Sequence, residues 1–315
     1  MPELVTIGEA MLILGATEIG LLRHNELFRR AMGGAEANVA IGVSRLGHTA
    51  GWQSRLGDDE PGRYILSALK GEGVDTGHVL LDSAGFTALY LKERSATGDP
   101  RVSYYRKGSA ASRMAPGDLD DTYIKSARVL HVTGITPALS GSCRDTVFAA
   151  VKTAKAAGVT VSFDPNMRYK LWDAAQARPV LLELARQADI VFPGLSEGAM
   201  MLGLDDASAI AMGFLSLGPK LVAVKMGADG AVVASASGIC QVPAMRVDTV
   251  DTVGAGDAFA AAFIASYLDG REPGESCRRA CIAGALATRV FGDWEGMPFR
   301  PELDALAEGG STLSR

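Results

Sequence analysis

The string Asp251-Thr-Val-Gly254-Ala255-Gly256-Asp257, followed by the apolar stretch 258–268, is the segment best equipped for chemistry. Small residues ahead of a helix leave its first-turn N–H groups uncovered, and the helix dipole adds positive potential at the same place, so the segment can hold an anion. Asp257 then puts a carboxylate in the first helical turn, beside that anion. An acid there also favours a helix start for its own sake. Two glycines between acids at both ends of one short string fit better with a phosphate site that has a carboxylate next to it. Neither of the usual phosphate loops competes: the chain has no Gly-x4-Gly-Lys-Ser/Thr and no Gly-x-Gly-x-x-Gly opening a strand–helix unit.

A second cluster, Gly33-Gly34-Ala-Glu-Ala-Asn38, stands at the mouth of the first long helix. Paired glycines let backbone approach a ligand, and the Asn38 amide both donates and accepts, as sugar hydroxyls require. Taken alone, the same residues are equally a helix-entry turn. Three further groups follow strand-like segments, where a parallel sheet places ligands. They are Asp164-Pro-Asn166-Met-Arg168, Gly194-Leu-Ser-Glu197 and Lys225-Met-Gly227-Ala-Asp-Gly230. The histidines (His24, His48, His78, His131) are scattered without metal-ligand spacing and read as surface or packed core. Cys143, Cys240, Cys277 and Cys281 form no Cys-x-x-Cys pair and read as small buried apolar residues in a reducing compartment.

These groups need a scaffold, and the spacing of apolar residues supplies one. Short β-branched runs at 129–132, 159–163, 190–192 and 221–224 alternate with helical patterns at about 142–157, 174–187, 207–217, 255–268 and 274–290. Earlier helices are expected at 37–46 and 62–70. Strands that are apolar throughout, alternating with helices, imply a parallel sheet buried on both faces. Segments 86–93 and 101–107 instead alternate with period two around the turn signal 96–100 and read as an antiparallel hairpin, to which 10–33 can add strands. The expectation is one α/β domain over 1–315 with a small β lid from about 10–33 and 84–108.

Composition bounds the partners. Net charge is −5, from 31 basic and 36 acidic residues, with no basic block, which argues against nucleic acid or a membrane surface as ligand. No apolar run reaches the roughly 20 residues of a membrane span, and no signal peptide is visible, so a cytoplasmic protein is expected. Glycine is in surplus, 37 of 315 residues, against a usual share of about 7 %.

Gly33-Gly34-x3-Asn38 together with Asp251-Thr-Val-Gly-Ala-Gly-Asp257 resembles the paired signatures of the ribokinase-like (PfkB) carbohydrate kinases, and the likeness runs over about 3–298. It implies a three-layer α/β/α fold with a mostly parallel sheet and a β lid, binding ATP with Mg²⁺ and phosphorylating a sugar hydroxyl. By the resemblance Asp257 is the catalytic base and the backbone of Gly254, Ala255 and Gly256 the anion hole. Asn166, Arg168, Lys225, Gly227 and Gly230 would serve ATP. Glu197 falls where the family has an Asn-x-x-Glu acid that organises Mg²⁺ through water, but Gly194 replaces the Asn, and Glu197 is equally a first-turn acid. Asp251 resembles a position that binds a monovalent cation such as K⁺ in some members; a structural role is equally open.

Within that family, Phe86-Thr-Ala-Leu-Tyr90, Tyr104-Tyr105-Arg106, Leu130-His-Val-Thr-Gly-Ile-Thr-Pro137 and Asp164-Pro-Asn-x-Arg168 look like 2-keto-3-deoxygluconate kinases. This resemblance implies that Gly34, Asn38, Tyr90, Tyr104, Arg106 and Arg168 hold the sugar acid and that Asp293 closes the pocket. Guanidinium groups recognise carboxylates through forked, charge-assisted bonds, which favours an acidic sugar. Arg168 can serve either the sugar carboxylate or ATP phosphate. Two rivals stay open: a kinase of the same fold for a neutral sugar or nucleoside, and a non-catalytic sugar- or nucleotide-binding protein. The edges and apolar face of the lid suggest a homo-oligomer.

Overall fold

A computed structural model describes residues 1–95 and 101–309. The chain opens with β1 (Leu4–Ile7), β2 (Met11–Ile19), β3 (Phe28–Gly33), α1 (Ala35–Arg45), β4 (Ala50–Gly57) and α2 (Glu60–Gly71). It continues through β5 (Val79–Asp82), β6 (Leu89–Arg94), β7 (Val102–Tyr105), α3 (Asp121–Lys125), β8 (Val129–Thr133), α4 (Gly141–Ala156) and β9 (Thr160–Asp164). Next come α5 (Ala174–Gln187), β10 (Ile190–Val191), α6 (Leu195–Leu202), α7 (Ala207–Leu215) and β11 (Leu221–Lys225). The last elements are β12 (Ala231–Ser235), β13 (Gly238–Val242), α8 (Ala255–Leu268), α9 (Pro273–Ala287) and α10 (Arg300–Ala307).

Nine strands form the central sheet in the order β13-β12-β11-β10-β9-β8-β1-β4-β5. From β11 to β5 all neighbours are parallel. At the other edge β12 and β13 run antiparallel, which the strand–helix alternation did not reveal. Gly230 turns the chain there at φ +93°, and β13 lies open to solvent, as does Cys240 on it, contrary to the expectation of buried cysteines. One face packs against α1, α2, α8, α9 and α10, and the other against α3, α4, α5, α6 and α7, which makes three layers. His131 sits in this core as expected, bonded to the Ser162 hydroxyl at 3.0 Å, and burial pushes its imidazole down to about 3.

Helix α8 matches its expected bounds, and the reason is its composition. It is apolar all round because α1, α9 and the sheet enclose it, the situation in which a helix has no polar face. Phe259 and Phe263 meet Phe192 edge-on at 6.1 and 5.2 Å, which anchors the first turns just after Asp257. α1 begins two residues earlier than expected, directly after Gly34.

The second sheet, β3-β2-β6-β7, comes from the two lid segments. β2 pairs antiparallel with β3 and parallel with β6, and β6 pairs antiparallel with β7, which sets Tyr90 opposite Tyr104 and beside Ile13. Met11, Ile13, Ala88 and Tyr90 make its small buried face. The predicted turn at 96–100 lies outside the described residues. No single helix among the described residues is long and apolar enough to cross a membrane.

Candidate active site

The N-terminus of α8 is the centre of the site. Gly254 stands ahead of it at φ +78°, and a Cβ there would come within 1.7 Å of the Asp293 carbonyl oxygen, so only glycine fits. Asp257, partly exposed in the first turn, accepts a bond from Asn38 Nδ2 at 2.8 Å. Burial raises its carboxyl above the ordinary range, against the Asn38 bond and the nearby charges of Arg168 and Lys225. Asn38 Oδ1 has no partner among the described residues. Gly34 lets α1 approach the β1–β2 turn, where a Cβ would meet the Glu9 carbonyl at 2.3 Å.

The lid supplies the opposite wall. Tyr90 is buried and donates to Asp293 Oδ1 at 3.3 Å, while Tyr104, more exposed, lies 5.3 Å away ring to ring. Burial and the neighbouring acids Asp257, Glu295 and Asp251 push the Asp293 carboxyl up to about 7, against the pull of Lys92. Arg106 is not free: its Nε donates to Glu9 Oε2 at 2.8 Å and its Nη2 pairs with the same oxygen, while Ser109 Oγ donates to Glu9 Oε1 at 2.8 Å. Burial of Glu9 raises its carboxyl despite that guanidinium. The side edge of Arg106 is thus engaged, and Nη1 faces no partner among the described residues. Sequence reading missed Glu9 because nothing in Gly8-Glu9-Ala10 signals a partner 97 residues away.

Behind α8 opens a cleft of about 600 Å³, lined by Lys225, Gly227, Gly230, Thr252, Gly256 and Cys281 among others. Its size suits a cofactor or nucleotide. Lys225, the last residue of β11, donates to Asp164 Oδ2 at 2.5 Å, and a Cβ on Gly256 would lie 3.5 Å from the same ammonium. Burial and the repulsion of Glu197 push Asp164 up to about 6 against the pull of Lys225. Asn166 adopts left-handed backbone at φ +38°, its N–H donating to Asp164 Oδ1 at 3.1 Å. The cleft walls from 244 to 252 and from α9 were not foreseen, since they join only in three dimensions.

Two expected residues have other occupations. Both Glu197 oxygens accept backbone N–H groups, from Met167 and from Gly194, each at 2.7 Å. The first-turn role that the sequence allowed is therefore filled. Asp251 is taken up by Lys92, at 2.6 Å, rather than left open for a free cation. Arg168 is exposed and close enough to Asp257 to oppose its rise. No group of three or more metal-binding side chains occurs among the described residues. The acids present, Asp164 and Glu197, suit Mg²⁺ held chiefly by phosphate oxygens and water, since that ion seldom needs an all-protein cage.

The chain is similar in sequence and in fold to known proteins over most of its length. The sequence model described as pfkB family carbohydrate kinase matches residues 1–300. A relative from Bacillus subtilis (strain 168), named 2-dehydro-3-deoxygluconokinase, is 40 % identical over 314 residues, covering 99 % of this chain and 97 % of its own. Fructokinase-1 from Zea mays is 35 % identical over 314 residues, covering 96 % and 97 %. A ribokinase II structure from E. coli in complex with ATP and Mg²⁺ superposes with a TM-score of 0.91 at 28 % identity, covering 98 % of this chain and all of that one.

Proposed function

This chain belongs to the pfkB family of carbohydrate kinases, enzymes that transfer phosphate to a sugar hydroxyl, and on that premise we propose that it phosphorylates the 6-hydroxyl of 2-keto-3-deoxygluconate with ATP. The observation that carries the reading is the Asp257 carboxylate, held by Asn38 at 2.8 Å beside the uncovered first turn of α8 and facing a lid that carries Arg106.

Asp257 takes the acceptor hydroxyl's proton. Its raised affinity for protons suits that task, and phosphoryl transfer asks more of placement than of base strength because the transition state is loose. The N–H groups of Gly254 and Gly256 donate to oxygens of the transferring group, where fixed donors stabilise developing charge, and that of Ala255 joins them by giving up its long 3.4 Å bond to the Thr252 carbonyl. Lys225 adds positive charge beside Gly256, and Gly227 and Gly230 line the cleft for the rest of ATP, with Asn166 at the phosphate end. Mg²⁺, when bound, would neutralise phosphate charge, and Asp164 and Glu197 would hold it through water. No separate monovalent cation enters this reading, because Lys92 already matches Asp251.

The acidic sugar is read from Arg106 and Arg168 together with Tyr90, Tyr104, Gly34 and Asp293. The Glu9–Arg106 pair leaves the end-on fork of the guanidinium for a ligand carboxylate. The same pair also favours the second reading, a neutral hexose such as fructose, because it cancels the lid's charge. An ADP-release assay across sugar acids, neutral hexoses, pentoses and nucleosides decides. A kcat/KM highest for 2-keto-3-deoxygluconate supports the proposal, and one highest for a neutral sugar or nucleoside refutes it. Tight binding without ADP release would mean a binding protein.

The reading treats 1–315 as one kinase domain with its lid at about 10–33 and 84–108. Exposed Ile19, Leu21 and Leu27 on the lid support a homo-oligomer through that sheet. Free cysteines and the use of ATP support a cytoplasmic location.

A further inference from the structure

Strand β6 turns Tyr90 and Lys92 to one face, since side chains two apart on a strand point the same way. Each meets an acid. Tyr90 reaches Asp293, and Lys92, only 4 % exposed, reaches Asp251 Oδ2 at 2.6 Å. These two acids lie on either side of Gly254. Asp251 closes the turn before it, with its Oδ1 accepting from Val253 N–H at 3.2 Å. Its own N–H and that of Val250 donate to the Thr288 carbonyl at 3.1 and 2.8 Å. Asp293 abuts Gly254 through its carbonyl oxygen. The Lys92 ammonium also lies 4.7 Å over the Phe291 ring, two residues ahead of Asp293.

We infer that Lys92 is a positioning residue: its ammonium is the built-in cation of the Asp251 turn and ties the lid to the backbone amides of Gly254–Gly256. A carboxylate only 10 % exposed, as that of Asp251 is, needs a matching charge, and leaving one uncompensated is destabilising. Supplying that charge from the lid strand makes the shape of the turn depend on where the lid sits. The sugar wall and the phosphate cradle therefore move as one body. A crevice of about 20 Å³ beside Lys92, Gly15, Phe291 and Asp293 has room for a water-sized guest. Shortening Lys92 would enlarge it into a polar hole next to Asp251 that fits a small cation. The inference rests on the kinase reading of Gly254–Gly256.

The test measures ADP-release rates of the full-length enzyme with its best acceptor in potassium, ammonium and choline chloride at equal ionic strength, for the wild type, Lys92→Ala and Lys92→Arg. The wild type should run at rates agreeing within about twofold in all three salts. Lys92→Ala should lose roughly tenfold or more in kcat, the scale on which small misplacements act, with a smaller change in KM for ATP. Potassium or ammonium, but not choline, should restore much of that loss, and Lys92→Arg should retain more rate than the alanine variant. A wild type several-fold faster in potassium than in choline overturns the role, because Asp251 would then be using a solvent cation. So does a Lys92→Ala enzyme with normal kcat, or one that keeps its Tm but responds to no small cation. Should Lys92→Ala fail to fold, the wild-type salt comparison decides alone. A wild type inactive on every acceptor refutes the kinase reading and this role with it, whereas an active one failing these comparisons overturns only the role of Lys92.

Discussion

Glu36 sits within the Gly33–Asn38 cluster as a fully buried carboxyl, and its protonation can be tested by Glu36→Gln. Its Oε1 accepts from the Thr133 and Thr136 hydroxyls at 2.8 and 2.7 Å, while Oε2 has no partner among the described residues. It fits only because residue 8 is glycine, where a Cβ would lie 2.2 Å from its carboxyl carbon. Burial pushes this acid from 4.5 to about 7, with the two threonine donors opposing and Asp257 adding to the rise. The folded state therefore holds a proton that the unfolded chain releases between those values. The associated stability is fully present below about 4.5 and lost as pH rises through about 7. A span of 7 − 4.5, about 2.5 units, is worth roughly 3 kcal/mol at 1.36 kcal/mol per unit. Glutamine keeps the acceptor oxygen and cannot ionise, so its fixed cost cancels between two pH values. With part of the effect already spent at pH 5 and an unfolding entropy of about 2.1 cal/mol/K per residue over this length, the Tm of Glu36→Gln minus that of wild type should rise by about 4 °C from pH 5 to pH 8.5. Scanning calorimetry of both proteins in matched buffers without ligand measures it. A Tm difference that stays constant across the range refutes the reasoning, since Glu36 would then ionise in the fold as easily as outside it.

Three further outcomes are expected at the site. Asp257→Asn should lower kcat by roughly 10²–10⁴-fold while calorimetric ADP binding and Tm persist; near-normal turnover removes Asp257 as the base. Gly254→Ala places a Cβ against the Asp293 carbonyl at positive φ, so kcat and Tm should fall together, and a variant normal in both would mean the turn is not held as described. Arg106→Ala should raise KM for an acidic sugar by roughly tenfold or more, the worth of a charge-assisted bond, and far less for a neutral one. Equal effects on both substrates would point to a neutral hexose or pentose. That variant also strands the buried Glu9, so its Tm should drop most at high pH, where an unpaired carboxylate is costliest.

The sequence by itself determined the alternation of strands and helices, the strands of the second sheet, the α8 bounds and the composition of the Gly254–Asp257 turn. Those features rest on neighbours within a few residues: apolar period, glycine placement and an acid in a first turn. It also placed Asp257, Asn38, Lys225 and Asp164 at strand ends and helix starts, where a parallel sheet brings ligands. What it left open is which carboxylate meets which cation. The local pattern of Asp251 fits a cation ligand or a turn, and only the fold brings Lys92 to it from 159 residues away. Glu197 likewise reads as metal acid or helix cap, until the loop carrying the Met167 N–H, 30 residues earlier, arrives against it. Arg106 looks free for substrate until Glu9, from the end of a central strand, takes its side edge. Charges find partners through space and at the cost of desolvation, so these pairings depend on how the lid and sheet pack and leave no periodic trace along the chain. Glycines divide the same way: Gly158 and Gly270 serve local turns at positive φ, whereas Gly8, Gly34 and Gly254 are required by a Glu36 carboxyl, a Glu9 carbonyl and an Asp293 carbonyl that only the tertiary structure brings near.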